Sequence, residues 1–172
     1  MITRRGVGMT VALWAAATGV GVTQDLPPES QAALEACYYG AEETAGRSAC
    51  KDLVFDRCQS QPNMGTTLGM MTCAQHETQA WDVLLNAEYA EALAWAKGMD
   101  AQDQQHFPEF AKRAESLLAA QRAWIAFRDA ECGLAYAVWG AGSMRTLAGT
   151  ACHADMTAER TLALRALRDE ML

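Results

Sequence analysis

Histidine is scarce: the chain has three, His76, His106 and His153, with no carboxylate cluster around any of them. There is no Cys-x-x-Cys pair, and Cys73 with His76 is a lone Cys-x-x-His, too little for a structural zinc site. His76-Glu77 opens like a zinc-protease helix, but Ala80 stands where the second histidine belongs, so His76 is read as a surface residue. No G-x-S-x-G, phosphate-binding loop or G-x-G-x-x-G occurs. The acid pairs Glu42-Glu43 and Asp129/Glu131 are ordinary in so acidic a chain, and a glycosidase needs two carboxylates facing each other across a cleft. These absences argue against an enzyme, a metal and a cofactor. Clusters of Val, Ile and Thr suited to strands are nearly missing too, as are repeats and low-complexity tracts, which points away from β architecture.

The chain also lacks an apolar run of the roughly 20 residues that span a bilayer. What it has is a positive start, Arg4-Arg5, followed by a short apolar segment from Gly6 to about Gly21. Residues 1–23 are therefore expected to be a secretory signal peptide, cleaved between Ala17 and Gln24, with no stable membrane insertion afterwards. The expected location is the periplasm or the cell exterior. Removing that segment takes away two arginines and no acid. It leaves 12 basic against 21 acidic residues, a formal charge of −9. Such a surface repels nucleic acid and anionic lipid and favours solubility or a basic partner.

Six cysteines remain, Cys37, Cys50, Cys58, Cys73, Cys132 and Cys152, an even count that suits disulfides in an oxidising compartment. Between glycine and proline punctuation the pattern is helical. Pro28 suits the first turn of a helix running to about Ala45. Ser48 can cap a second helix to about Gln59, and Thr66 or Thr67 starts a long one ending at Lys97-Gly98. Pro108 opens another long helix ending near Trp139-Gly140, and Ser143 caps the last. The expected fold is all-α, an antiparallel array of about five helices stapled by disulfides. Trp81, Trp95, Trp124 and Trp139 sit at helical positions and are read as core residues.

On the third helix Asp82, Asn86, Tyr89 and Leu93 share a face, and on the next so do Gln121, Trp124, Arg128 and Cys132. Polar groups set in apolar stripes cost free energy if buried unpaired. The expectation is a structural network in which Asp82 or Asn86 meets Arg128 or Gln121. Asp129, about 100° from Arg128, is either exposed or paired with Arg160. Cys132 and Cys152 lie equally far on either side of Gly142, so an antiparallel hairpin brings their sulfurs level. The other four leave two schemes open: Cys37 with Cys58 and Cys50 with Cys73, or Cys58 with Cys73 and Cys37 with Cys50.

The run Cys73-x3-Glu77-x3-Trp81-Asp82-x2-Leu85-Asn86-x2-Tyr89 forms one half of a signature. Gln121-Arg122-Ala123-Trp124-Ile125-Ala126-Phe127-Arg128-Asp129-x2-Cys132 forms the other, completed by a Gly-Ser turn, Cys152 and Thr157-x2-Arg160. Together they resemble the N-terminal domain of the LprI-type lysozyme inhibitors, from about Cys58 to Leu167. The resemblance implies a secreted helical domain, with lysozyme inhibition attributed to some members. The family's four-cysteine members imply the Cys58–Cys73 pairing. Residues 24–57 then form an N-terminal helical extension and 58–172 the LprI-like domain.

The leading expectation is thus a binding protein that occludes a lysozyme, or another basic envelope protein, directly. Its expected contact is the turn Trp139, Gly140, Gly142, Ser143, Met144 and Arg145, where a helix N-terminus meets a partner. The alternatives are an envelope-associated structural or stress protein with another partner, and a cell-envelope hydrolase with its cleft between the long helices.

Overall fold

The computed structural model describes residues 25–170, so the expected export segment, residues 1–23, lies outside the described residues. Six α-helices follow one another: α1 (Pro28–Gly40), α2 (Thr44–Ser48), α3 (Leu53–Gln59), α4 (Thr67–Asp103), α5 (Arg113–Val138) and α6 (Arg145–Asp169). A 3-10 turn, Pro108–Phe110, precedes α5, and no strand occurs among the described residues. None of the helices described is long and apolar enough to cross a membrane.

Helix α4 is the spine. Its 37 residues extend about 55 Å at 1.5 Å per residue. It starts where Thr66 accepts the Gly69 N–H at 3.0 Å, an N-cap bond. Helix α6 lies along it, α5 packs chiefly on α6, α1 and α3 gather against the N-terminal half of α4, and α2 packs on α6. One apolar cluster joins Leu34 and Tyr38 of α1, Val54 of α3, Trp81 and Leu84 of α4, and Leu162 of α6. A second joins Leu85, Ala92 and Ala96 of α4, Leu117 of α5 and Leu164 of α6. Three disulfides staple the array: Cys37–Cys50, Cys58–Cys73 and Cys132–Cys152.

Carboxylates on α4 organise its neighbours. Helix α3 begins at Asp52, whose left-handed backbone (φ 66°) offers no side-chain cap. Glu77, buried on α4, supplies one from outside. It accepts the Asp52 N–H at 3.1 Å, the Phe55 N–H at 2.8 Å and the Trp81 indole N–H at 2.6 Å. An anion at a helix N-terminus is favourable. Burial pushes the Glu77 carboxyl above the usual carboxylate range, with the Phe55 N–H and the Trp81 indole pulling it back. Asp100 repeats the device for α5. It accepts the Arg113 N–H at 3.0 Å and the Ala114 N–H at 2.9 Å, and those donors hold its carboxyl below the usual range. Glu88, 2 % exposed, accepts from the Tyr38 hydroxyl at 3.1 Å and is paired with Arg168 and Arg165 of α6. Arg47 of α2 bonds Asp169 at 2.8 Å, so the N-terminal helices are tied to the end of α6.

Several boundaries differ from the sequence expectation, for identifiable reasons. The expected first helix, to about Ala45, stops at Gly40, and the short α2 follows, with Ser48 as its last residue and not an N-cap. The expected second helix starts only at Leu53, where Glu77 accepts the Asp52 and Phe55 N–H groups. Helix α4 continues past Gly98 to Asp103, where Asp100 and Asp103 both hold Arg113. Pro108 opens only the 3-10 turn, and α5 starts at Arg113 under the Asp100 cap. Ser143 does not cap α6: the N-cap is Met144, with no side-chain bond.

The polar network expected across α4 and α5 is not formed. Asp82 and Asn86 are exposed and bond each other at 3.1 Å within α4. The face α4 buries is the neighbouring one, through Glu77, Trp81, Leu84, Leu85 and Glu88, so Asp82 and Asn86 stay in water at no desolvation cost. Tyr89 packs at the edge of the second cluster, its hydroxyl buried without a hydrogen-bond partner. Arg128 bonds its exposed neighbour Asp129 at 3.0 Å and lies 5.1 Å over the Trp124 ring. Gln121 is buried and accepts from Arg160 at 2.9 Å. His76, expected at the surface, is 8 % exposed and sits one residue before Glu77 on the buried side of α4.

Glu77→Ala strands the buried Trp81 indole N–H and two part-buried backbone N–H groups and leaves a void, so it should cost about 3 kcal/mol in denaturant unfolding. Glu77→Gln keeps one acceptor and should cost less. Asp100 contributes stability above the ordinary carboxylate pKa and loses it as pH falls through its lowered folded value. The gap in melting temperature between wild type and Asp100→Asn should therefore narrow on acidification. The Cys132–Cys152 link closes a separation of 20 residues. The double Cys→Ala variant should lose roughly 3 kcal/mol, read as a lower denaturant midpoint.

Candidate partner-binding tip

Helix α5 hides little of itself. Of its residues only Leu117, Gln121 and Cys132 are buried. Seven of the twelve exposed large apolar side chains among the described residues lie on α5 or its C-cap: Leu118, Ile125, Phe127, Leu134, Tyr136, Val138 and Trp139. The last four crowd into the final two turns, with Val138 75 % and Trp139 50 % exposed. Leu134 and Val138, four residues apart, share one side of the helix, and Tyr136 and Trp139, three apart, share another, so the end of α5 is apolar on two sides.

The turn beyond is tightly built. Gly140 has φ 52°, a left-handed conformation suited to glycine. The Gly142 N–H donates to the Trp139 carbonyl at 2.8 Å, and a Cβ on Gly142 would sit 2.9 Å from that same oxygen. Arg145 reaches back: one terminal nitrogen donates to the Gly140 carbonyl at 3.3 Å, and its guanidinium lies 5.5 Å over the Tyr136 ring. Two turns behind, Gly149 approaches Tyr136 so closely that a Cβ would fall 3.2 Å from the Tyr136 Cβ. The Cys132–Cys152 disulfide locks the two helices below that approach. The result is a stiff tip carrying exposed apolar side chains on two sides and one exposed cation.

All six residues singled out from the sequence sit in this tip: Trp139, Gly140, Gly142, Ser143 and Arg145 exposed, Met144 half-buried. Trp139 is no core residue: it follows Val138, the last residue of α5, and is exposed. Sequence reasoning missed Leu134, Tyr136 and Val138, since an apolar residue near a helix end signals core as readily as surface. No group of three or more His, Cys, Asp or Glu side chains placed to hold a metal exists among the described residues.

Comparison with known proteins gives this geometry a context. The family model "Lysozyme inhibitor LprI" matches residues 58–164, more than half of the chain. An uncharacterized protein of Rhizobium meliloti (strain 1021) is 32% identical over 114 residues, covering 64% of this chain and 82% of that protein. No solved structure matches the chain at a significant level. The matched segment opens at the Cys58–Cys73 staple and takes in α4, α5, the tip and most of α6. The chain belongs to the lysozyme inhibitor LprI family.

Proposed function

We propose that this protein is an exported inhibitor that binds a lysozyme directly and blocks its cleft with the α5–α6 tip. The observation that carries the reading is the set of exposed apolar side chains around the disulfide-braced tip, Leu134 and Val138 on one side of α5 and Tyr136 and Trp139 on another, in a member of this family. Occlusion requires no catalytic group from the inhibitor. It requires a rigid protrusion, because a contact already ordered before binding loses little entropy on association. In this reading Trp139 and Met144 fill a sugar subsite of the lysozyme cleft. Arg145 approaches the paired carboxylates of the lysozyme active site, and Ser143 hydrogen-bonds to them. The formal charge of −9 left after removal of residues 1–23 steers the domain toward a basic lysozyme. Residues 24–57 then serve as an extension whose helices α1 and α3 buttress α4 and leave the tip free.

Mature, oxidised protein at equimolar ratio should slow lysis of a cell-wall suspension by at least one lysozyme class. Trp139→Ala and Arg145→Ala should each weaken binding by about 2 kcal/mol, roughly 30-fold in Kd, with melting temperature unchanged for Trp139→Ala and only slightly lowered for Arg145→Ala, whose bond to the Gly140 carbonyl is exposed. Association should slow as salt rises from about 50 to about 300 mM. No effect on c-, g- or i-type lysozymes at up to about 10 μM inhibitor defeats the proposal, that being a weak affinity for an interface of ordinary size.

A further inference from the structure

At the other end of α5, about 30 Å from Trp139 by helical rise, the ends of α4 and α6 and the start of α5 leave a trough of about 670 Å³. Trp95, Met99, Leu117, Leu164 and Leu167 line it with apolar surface, and Arg160 stands in its wall. The volume falls within the roughly 300–1,000 Å³ typical of small-molecule sites.

Arg160 is anomalous in this chain. Acids outnumber bases 21 to 14. Every other buried or half-buried Lys or Arg among the described residues holds a carboxylate: Arg47, Lys51, Arg113, Arg128, Arg165 and Arg168. The cations without one, such as Lys97 and Arg122, are exposed. Arg160 alone is half-buried with no carboxylate partner among the described residues. Its Nε donates to Gln121 at 2.9 Å and its guanidinium lies 5.9 Å from the Trp124 ring centroid, both neutral partners. These contacts fix its orientation and leave its two terminal nitrogens uncommitted. Burial lowers its pKa with no opposing anion to offset the effect. A partly desolvated guanidinium without a counter-charge gains most from a ligand that brings one.

We propose that this trough is a binding site for a free single-chain fatty carboxylate. Its carboxylate takes the two terminal nitrogens of Arg160 in a bidentate pair, and its alkyl chain lies along Trp95, Met99, Leu117 and Leu167. The site is separate from the tip, so its occupancy is independent of lysozyme inhibition.

The test is calorimetric titration of the mature, disulfide-intact protein with decanoate, and in parallel with 1-decanol and decyltrimethylammonium. Decanoate should bind one-to-one in the micromolar range, at least 10-fold tighter than the alcohol, with the cation not binding. Arg160→Gln should abolish the preference for decanoate over decanol, and Arg160→Lys should restore part of it. Ala120 is exposed on the trough wall. Ala120→Trp fills the space from a surface position and should block all binding while the fold is kept. No saturable decanoate binding up to about 1 mM, equal affinity for decanoate and decanol, or binding that survives Ala120→Trp would each overturn the proposal. The last outcome would place the ligand on the exposed apolar face of α5.

Discussion

Buried and half-buried carboxylates on a single helix hold this fold in register. Glu77, Glu88 and Asp100 project from α4 and each meets donors of a different element: the start of α3, the Tyr38 hydroxyl with two arginines of α6, and the start of α5. Apolar burial alone is non-directional and would tolerate sliding of one helix along another. A carboxylate that is the outside cap of a neighbouring helix tolerates little, because a shift of one turn strands both the anion and the orphan N–H groups it satisfies. The disulfides reinforce the same junctions. Cys58–Cys73 ties α3 to α4 one turn from Glu77, and Cys37–Cys50 holds the segment whose Arg47 reaches Asp169.

That bracing explains why α5 can be so poorly buried and still be placed. It is fixed near its beginning by Asp100 and Leu117, in its middle by the Arg160–Gln121 bond, and near its end by Cys132–Cys152. Between these points its outer surface contributes nothing to the core. An apolar outer surface lowers solubility and gives no folding benefit, and a charge of −9 on the remainder offsets the first cost. The binding role proposed above would supply the reason for keeping it. The tip owes its stiffness to the glycine turn, the Gly149–Tyr136 approach and the Cys132–Cys152 disulfide, and the helix behind it is held against α6 with few of its residues buried.

How far the sequence foretold this depends on which interactions are local. Helical periodicity, the Thr66 cap and the glycine turn around Gly142 are local, and they give the long helices and the Cys132–Cys152 pairing. The position of the turn between α5 and α6 was visible for the same reason, whereas Trp139, read as core, is exposed. Caps supplied from outside a helix are not local. Nothing within Lys51 to Gln59 shows that Glu77 will seat α3, and nothing after Pro108 shows that Asp100 will start α5. The polar network was misplaced by a small rotation. Asp82 and Asn86 share a stripe with Tyr89, but the face α4 turns inward is the adjacent one bearing Trp81, Leu85 and Glu88. Glu88 was overlooked because a lone glutamate in a helix looks like surface until its two arginines, about 80 positions away in the chain, are brought to it.

The central claim is that the tip, and not the body of the bundle, meets lysozyme. Hydrogen–deuterium exchange of the mature protein alone and saturated with a lysozyme it inhibits tests this most directly. Amides from about Leu134 to Leu147 should gain protection in the complex, while those of α1 to α3 remain as they were. Protection confined to the N-terminal helices or to the exposed face of α4, with the tip exchanging at its free rate, would contradict it.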